Sequence, residues 1–219
     1  MLHTNLSLDY LIHEPSTIKE QNPLIVLMHG YGSNEEDLFS FAPELPQDSY
    51  IISVRAPHAM PPYGNAWYAI NFDADQNKFT DDAQAAESRD LIAKFVNEAV
   101  STYKIDPKNV TLIGFSQGAI LSYAVALTFP EQIKNVIALS GYFHEAIMPS
   151  NITENPAVKA LNFFASHGTQ DQVIPVDWAR RSKERLEGMG IAVTYCEYPV
   201  GHGVAPQNFY DFKNWLVSK

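Results

Sequence analysis

Asn109-Val110-Thr111-Leu112-Ile113-Gly114-Phe115-Ser116-Gln117-Gly118-Ala119-Ile120-Leu121-Ser122-Tyr123-Ala124-Val125-Ala126-Leu127 changes character twice. Its first residues are β-branched and apolar, as a buried strand requires. From Ala119 onward it is rich in helix formers. Between the two, Gly114 and Gly118 stand two residues to either side of Ser116. A strand that turns this sharply into a helix brings two backbones together, so the flanking positions must lack side chains. The G-x-S-x-G pentapeptide alone would arise by accident in a chain of this length with a chance of roughly 0.05. The strand before it and the helix after it turn it into a signal.

Around this apex the chain reads as α/β. Leu6 to Ile12 alternates apolar and polar, like an edge strand, and Pro23 opens an apolar run through Met28. His29-Gly30-Tyr31-Gly32 and a polar helix start follow. Tyr50–Val54 is a third strand. Residues 56–80 are rich in Pro, Gly, Asn and Asp and predict no regular element, which in a domain of this size suggests a functional loop or lid. Their aromatics, Trp67 and Tyr68 among them, either line a pocket or pin the loop to the body. Trp67 is carried forward as substrate-lining.

A helix capped at Thr80 or Asp81 then shows an apolar stripe from Leu91 to Tyr103 and ends at Asp106-Pro107. Further strands are expected at Asn135–Ser140, Ala160–His167 and Ala192–Tyr198, with helices over Val176–Glu187 and from Pro206. Strands alternating with helices predict a mostly parallel sheet covered on both faces. Ligands bind beyond the carboxyl ends of such strands. The motifs at 29–32, 114–118, 168–171 and 201–203 all follow strands, so they should meet at one edge of the sheet.

Composition narrows the class. The 219 residues, 46% hydrophobic and 18% charged, suit one soluble domain over residues 1–219. A net charge of −10 with no basic cluster argues against nucleic acid or an anionic membrane as partner. Met1–Leu6 lacks the cationic start and apolar stretch of a signal peptide. Leu24–Met28 is too brief to span a bilayer, so no stable membrane anchoring is expected. The lone Cys196 allows no internal disulfide, and the reading is cytoplasmic. On that reading the sequons at Asn5 and Asn151 are chance.

A serine hydroxyl is a weak nucleophile unless a histidine takes its proton, and a carboxylate must hold that histidine in one tautomer. In the α/β-hydrolase arrangement the chain order is Ser, then acid, then His. Asp171 and His202 meet that order, each in a glycine-bearing loop after a strand. His29 and His58 come too early, His144 precedes any suitable acid turn, and His167 belongs to the Asp171 turn. His3 and His13 read as structural or solvated. Asp177, the competing acid, falls in a first helical turn, where it would serve the helix dipole. The developing oxyanion needs N–H donors. In this fold they are the amide after the nucleophile, here Gln117, and one after an earlier strand, for which Tyr31 is the candidate.

Leu27–Leu38, Gly114–Gly118, His167–Pro175 and Gly201-His202, with Arg55-Ala56-Pro57 and Ala66-Trp67-Tyr68, together resemble the phospholipase/carboxylesterase family over nearly the whole chain. Its relatives include acyl-protein thioesterases and bacterial carboxylesterases. The resemblance implies an α/β-hydrolase fold without a cap domain and a catalytic Ser116, Asp171 and His202. It also implies an oxyanion hole from Tyr31 and Gln117, Val173 beside the acyl pocket, no cofactor and no metal. A small-molecule ester substrate and a homodimer are family expectations.

Ala119 stands where members often carry another glycine, and segment 56–80 shows no clear counterpart of the hydrophobic loop of mammalian thioesterases. The expected substrates are therefore short- to medium-chain carboxyl esters. Thioesters and lysophospholipids remain open, as does a non-catalytic binding role for the fold. A phosphate loop is excluded because G-x-x-x-x-G-K-[ST] is absent. A calcium loop from Asp73 fails at Lys78 and Gln84. A dienelactone-hydrolase-like enzyme would carry cysteine at position 116.

Overall fold

The computed structural model describes residues 1–72 and 78–219, so the Asp73–Asn77 start of the rejected calcium loop lies outside the described residues. Seven strands form the main sheet: β1 (Tyr10–His13), β2 (Asn22–Met28), β3 (Tyr50–Val54), β8 (Ile105–Phe115), β9 (Asn135–Leu139), β10 (Asn162–Gly168) and β11 (Ala192–Tyr198). Two small hairpins, β4 (His58–Ala59) with β5 (Asn65–Ala66) and β6 (Ile70–Phe72) with β7 (Lys78–Thr80), lie outside it. The helices are α1 (Glu36–Phe39), α2 (Asp82–Thr102), α3 (Gln117–Thr128), α4 (Val176–Gly188) and α5 (Pro206–Val217).

The order across the sheet is β1-β3-β2-β8-β9-β10-β11, with β1 antiparallel and the rest parallel. This is the α/β-hydrolase architecture. Residue alternation assigns each strand's side chains to one of two cores. Leu24, Val26, Met28, Val110, Leu112, Val136, Ala138 and Phe163 face one layer. Ile25, Leu27, Ile113, Ile137, Leu139 and Phe164 face the other, against Leu38 and Phe212. Helix α3 is buried on every side from Gln117 to Leu127, because it lies between the sheet and α2. That burial explains its lack of a polar stripe. Among the described residues no helix is long and apolar enough to cross a membrane.

Three expectations shift. The edge strand starts at Tyr10, later than the alternation from Leu6 suggested. The strand into the serine begins at Ile105, ahead of Pro107: the pairing with β2 slips between Asn22↔Ile105 and Leu24↔Val110, leaving the N–H-less proline outside the ladder. Segment 56–80 does hold regular structure, in hairpins too short to show a period of two.

Beyond β2 the chain first adds β3 on one side and then β8 on the other. The chain thus leaves β2 toward one side of the sheet and β8 toward the other, and it is at the carboxyl ends of such strands that ligands bind.

Candidate active site

Ser116 sits at the tip of β8 with φ 53° and ψ −115°, one of two non-glycine residues with positive φ among those described. Its N–H donates to the Leu139 carbonyl (2.9 Å) and its carbonyl accepts from Ile120 N–H (3.0 Å), which hold the strained turn from both ends. A Cβ on Gly114 would collide with the Gly118 carbonyl, and one on Gly118 with the Met28 carbonyl. The two glycines are thus required by close backbone approach.

The loop after β10 brings Asp171, and the loop after β11 brings His202. Backbone bonds tie the loops together, Thr169 N–H to Tyr198 O (2.8 Å) and Gln170 N–H to Val200 O (3.0 Å), where a side chain at Gly168 would strike Val200 and Gly201. His202 Nε2 lies 3.0 Å from Ser116 Oγ, and Nδ1 lies 2.7 Å from Asp171 Oδ2. The Phe115 ring packs on the imidazole at 4.9 Å. Asp171 Oδ1 accepts the amides of Val173 (2.8 Å) and Ile174 (2.9 Å), and His167 Nε2 stands 3.2 Å from Oδ2 while donating to Ile174 O. Burial raises the Asp171 pKa, but those amides and His202 outweigh it and hold the carboxyl below its ordinary value. With the acceptor ionised, Nδ1 carries the proton and Nε2 is left to accept one from Ser116.

Two amides close the other side. A Cβ on Gly30 would lie 3.2 Å from the Ser116 Cβ, so the loop after β2 passes directly beside the serine. Neither Tyr31 N–H nor Gln117 N–H has an acceptor among the described residues, and both residues line the same cavity.

Trp67 requires a correction: it is fully buried and absent from the cavity wall. Its indole N–H donates to His29 O (2.9 Å), and its own amide donates to the Gln117 side-chain oxygen (3.1 Å), while Gln117 Nε2 donates to Tyr68 O. His29, kept neutral by burial that lowers its pKa, donates from Nδ1 to Gly30 O and accepts Ala56 N–H on Nε2. A buried lattice of hydrogen bonds therefore fixes both candidate donor loops to segment 56–68. The sequence marked these residues as a motif without revealing that they brace the loops from behind.

Val173 does line the cavity, half exposed at its mouth. The cavity, about 1230 Å³, continues past Ile120, Tyr68, Tyr142, Phe143 and Trp178 to charged groups at its margin. Sequence reasoning missed Tyr142, Phe143 and Trp178, since an aromatic in a loop or on a helix carries no sign of which surface it faces.

Arg55 forks onto Glu35, just beyond the Tyr31 loop, with Nε–Oε2 at 2.7 Å. Those hydrogen bonds hold Glu35 below its ordinary value of about 4.5, against the burial that raises it. The stabilisation is thus fully present above the unfolded value and lost as pH falls through the lowered folded one. Glu35→Gln is expected to reduce unfolding free energy by about 1–3 kcal/mol at neutral pH. The gap to wild type should narrow below about pH 4.5, as read from urea midpoints. A gap that widens in acid would contradict this.

The sequence model of the phospholipase/carboxylesterase family matches residues 12–218. The chain belongs to that family. Its membership makes it a carboxylic ester hydrolase. The chain is similar to acyl-protein thioesterase 1 of Emericella nidulans, 28% identical over 91% of each chain. Among solved structures it is similar to esterase PE8, with TM-score 0.82 and 26% identity over 98% of this chain and 99% of the other. A carboxylesterase from Mesorhizobium loti superposes with TM-score 0.84 over 100% and 99% of the two chains, at 18% identity, and speaks to the fold alone.

Proposed function

We propose that this family member is a single-domain serine carboxylesterase acting on short- to medium-chain esters through an acyl-enzyme on Ser116. The observation that carries the reading is the continuous line from Ser116 Oγ through His202 (3.0 Å) to Asp171 (2.7 Å). In this reading Oγ attacks the ester carbonyl carbon as its proton passes to His202 Nε2. The oxyanion is received by the Tyr31 and Gln117 amides, each worth about 3 kcal/mol of barrier. Collapse expels the alkoxide, which takes the proton from Nε2. Water then gives a proton to Nε2, attacks the acyl carbonyl, and releases the carboxylic acid as Oγ is reprotonated. The side chains, the ester and one water account for every proton and electron pair.

Chain length is argued from the groove margin. A long alkyl tail following the aromatic wall would cover Asp82, Arg181 and Arg185, all on the lining, and desolvating such charges is unfavourable. Thioesters fit the same chemistry, and the fungal relative's name gives them a place in the assay. The cytoplasm is part of the same reading, from the lone Cys196.

A fluorophosphonate is expected to add once per chain, with the adduct mapping by mass spectrometry to Ser116. Rates on 4-nitrophenyl esters should be highest for butyryl to octanoyl and lower for palmitoyl. Failure to label would favour a non-catalytic use of the fold, and a palmitoyl optimum would overturn the chain-length reading.

A further inference from the structure

Resting on the esterase reading above, we infer that the groove selects esters carrying an anionic group, carboxylate or phosphate, away from the scissile bond, with Arg181 as the group's ligand. Helix α4 lays Trp178, Arg181, Ser182 and Arg185 along the cavity, the spacing of one helical face. Trp178, 40% exposed, meets Tyr142 edge-on at 4.8 Å. Ser182 Oγ donates to Trp178 O (2.6 Å) and accepts the Phe143 N–H (2.8 Å), which fixes the helix against the facing loop. An apolar substrate body thus has a rigid aromatic wall, and at that wall stands a guanidinium.

The other cations of α4 are matched, whereas Glu184 on the same helix and Asp37 on the cavity lining have no cationic partner among the described residues. On α4, Arg180 pairs with Asp177 and Glu197, Lys183 with Glu187, and Arg185 with Glu145. On the cavity wall Asp82 is joined to His144, and Asp37 accepts the Ser33 hydroxyl. Arg181 donates only from Nε, to the Asp177 carbonyl at 3.3 Å, and pairs with no carboxylate among the described residues. Of the two arginines on the cavity lining, Arg181 is the one without a carboxylate partner among the described residues. Its remaining N–H groups form the planar fork that suits a carboxylate or phosphate.

Arg185, one turn on, can add to the field. Its pair with Glu145 is 57% and 71% exposed, and such pairs hold weakly enough to exchange. A neutral ester gains nothing from either cation.

The anionic group can belong to the acyl or to the alcohol half, and matched pairs separate the two. For the acyl side, mono-4-nitrophenyl glutarate, adipate and suberate are compared with their methyl-capped diesters. For the alcohol side, 1-butyrylglycerol 3-phosphate is compared with 1-butyrylglycerol. At fixed ionic strength, the anionic member is expected to lead in kcat/KM by about tenfold in at least one arm, a charge-assisted hydrogen bond partly exposed to water. Arg181→Ala should remove that ratio, Arg181→Glu invert it, and Arg181→Lys keep part of it.

Ratios near one in both arms, or a preference that survives Arg181→Glu, would overturn the inference. Neutral esters still cleaved by the Ser116-labelled mechanism would then leave the esterase reading standing. Absence of hydrolysis from neutral and anionic esters alike would instead sink the esterase reading itself.

Discussion

Ser116→Ala is expected to lower kcat on 4-nitrophenyl butyrate by about 10⁶, with His202→Ala nearly as damaging and the double variant no worse than either alone. In the proposed mechanism the groups act as one unit: without the hydroxyl there is no proton for Nε2 to take, and without Nε2 the hydroxyl stays protonated. Asp171→Asn should cost about 10⁴, for a reason specific to this loop. Oδ1 accepts the Val173 and Ile174 amides, so an asparagine would keep its oxygen there and turn its NH₂ toward His202 Nδ1. Nδ1 would then have to accept, the ring proton would move to Nε2, and Nε2 could no longer take one from Ser116. Folding should survive, since the two loop amides keep their acceptor. A Ser116→Ala rate within tenfold of wild type, or an Asp171→Asn rate near it, would show that hydrolysis runs elsewhere.

Sequence was most legible where backbone geometry demands one residue type. Gly114 and Gly118 announced the close approach of strand and helix at the serine, while the packing of Gly118 on β2 emerged only from the structure. The order Ser116, Asp171, His202 pointed to loops that the parallel sheet brings to one edge, where His202 lies 3.0 Å from Ser116 and 2.7 Å from Asp171. What the sequence could not convey was the direction of side chains in irregular segments. Trp67, large and aromatic in a loop full of turn residues, can be read as a pocket wall or as a pin holding the loop, and is carried forward as the former. It lies behind the wall instead, because its indole N–H is the partner of a buried His29 carbonyl. Trp178, on an ordinary amphipathic helix, faces the groove that Trp67 does not. Hairpins of two and three residues are likewise invisible to any periodicity argument.

Gly118→Ala is expected to destabilise the protein by more than about 4 kcal/mol, although alanine is the better helix former by about 1 kcal/mol. The two effects oppose each other, and space decides. Gly118 lies in the first turn of α3, where its φ raises no objection to a side chain. Its Cβ would nevertheless overlap the Met28 carbonyl, with the Met28 carbonyl carbon at 2.6 Å and the His29 oxygen at 2.9 Å. These are main-chain atoms at the end of β2, an inner strand of the sheet, and of the residue after it, which cannot move aside as a flexible side chain could. The helix would have to lift from the strand, carrying the Gln117 amide away from the Tyr31 loop and loosening the Gln117 bonds to Trp67 and Tyr68. Gly188→Ala provides the control: it ends α4, nothing lies within 4 Å of the new Cβ, and it should be neutral or stabilising by about 0.5 kcal/mol. The urea midpoint of Gly118→Ala is therefore expected to fall well below wild type while that of Gly188→Ala stays level or rises, with an insoluble Gly118→Ala chain counting as the extreme of the same result. A Gly118→Ala protein that melts with wild type would mean that helix and strand can part at little cost, and the close approach at the serine turn would lose its role as the constraint on these glycines.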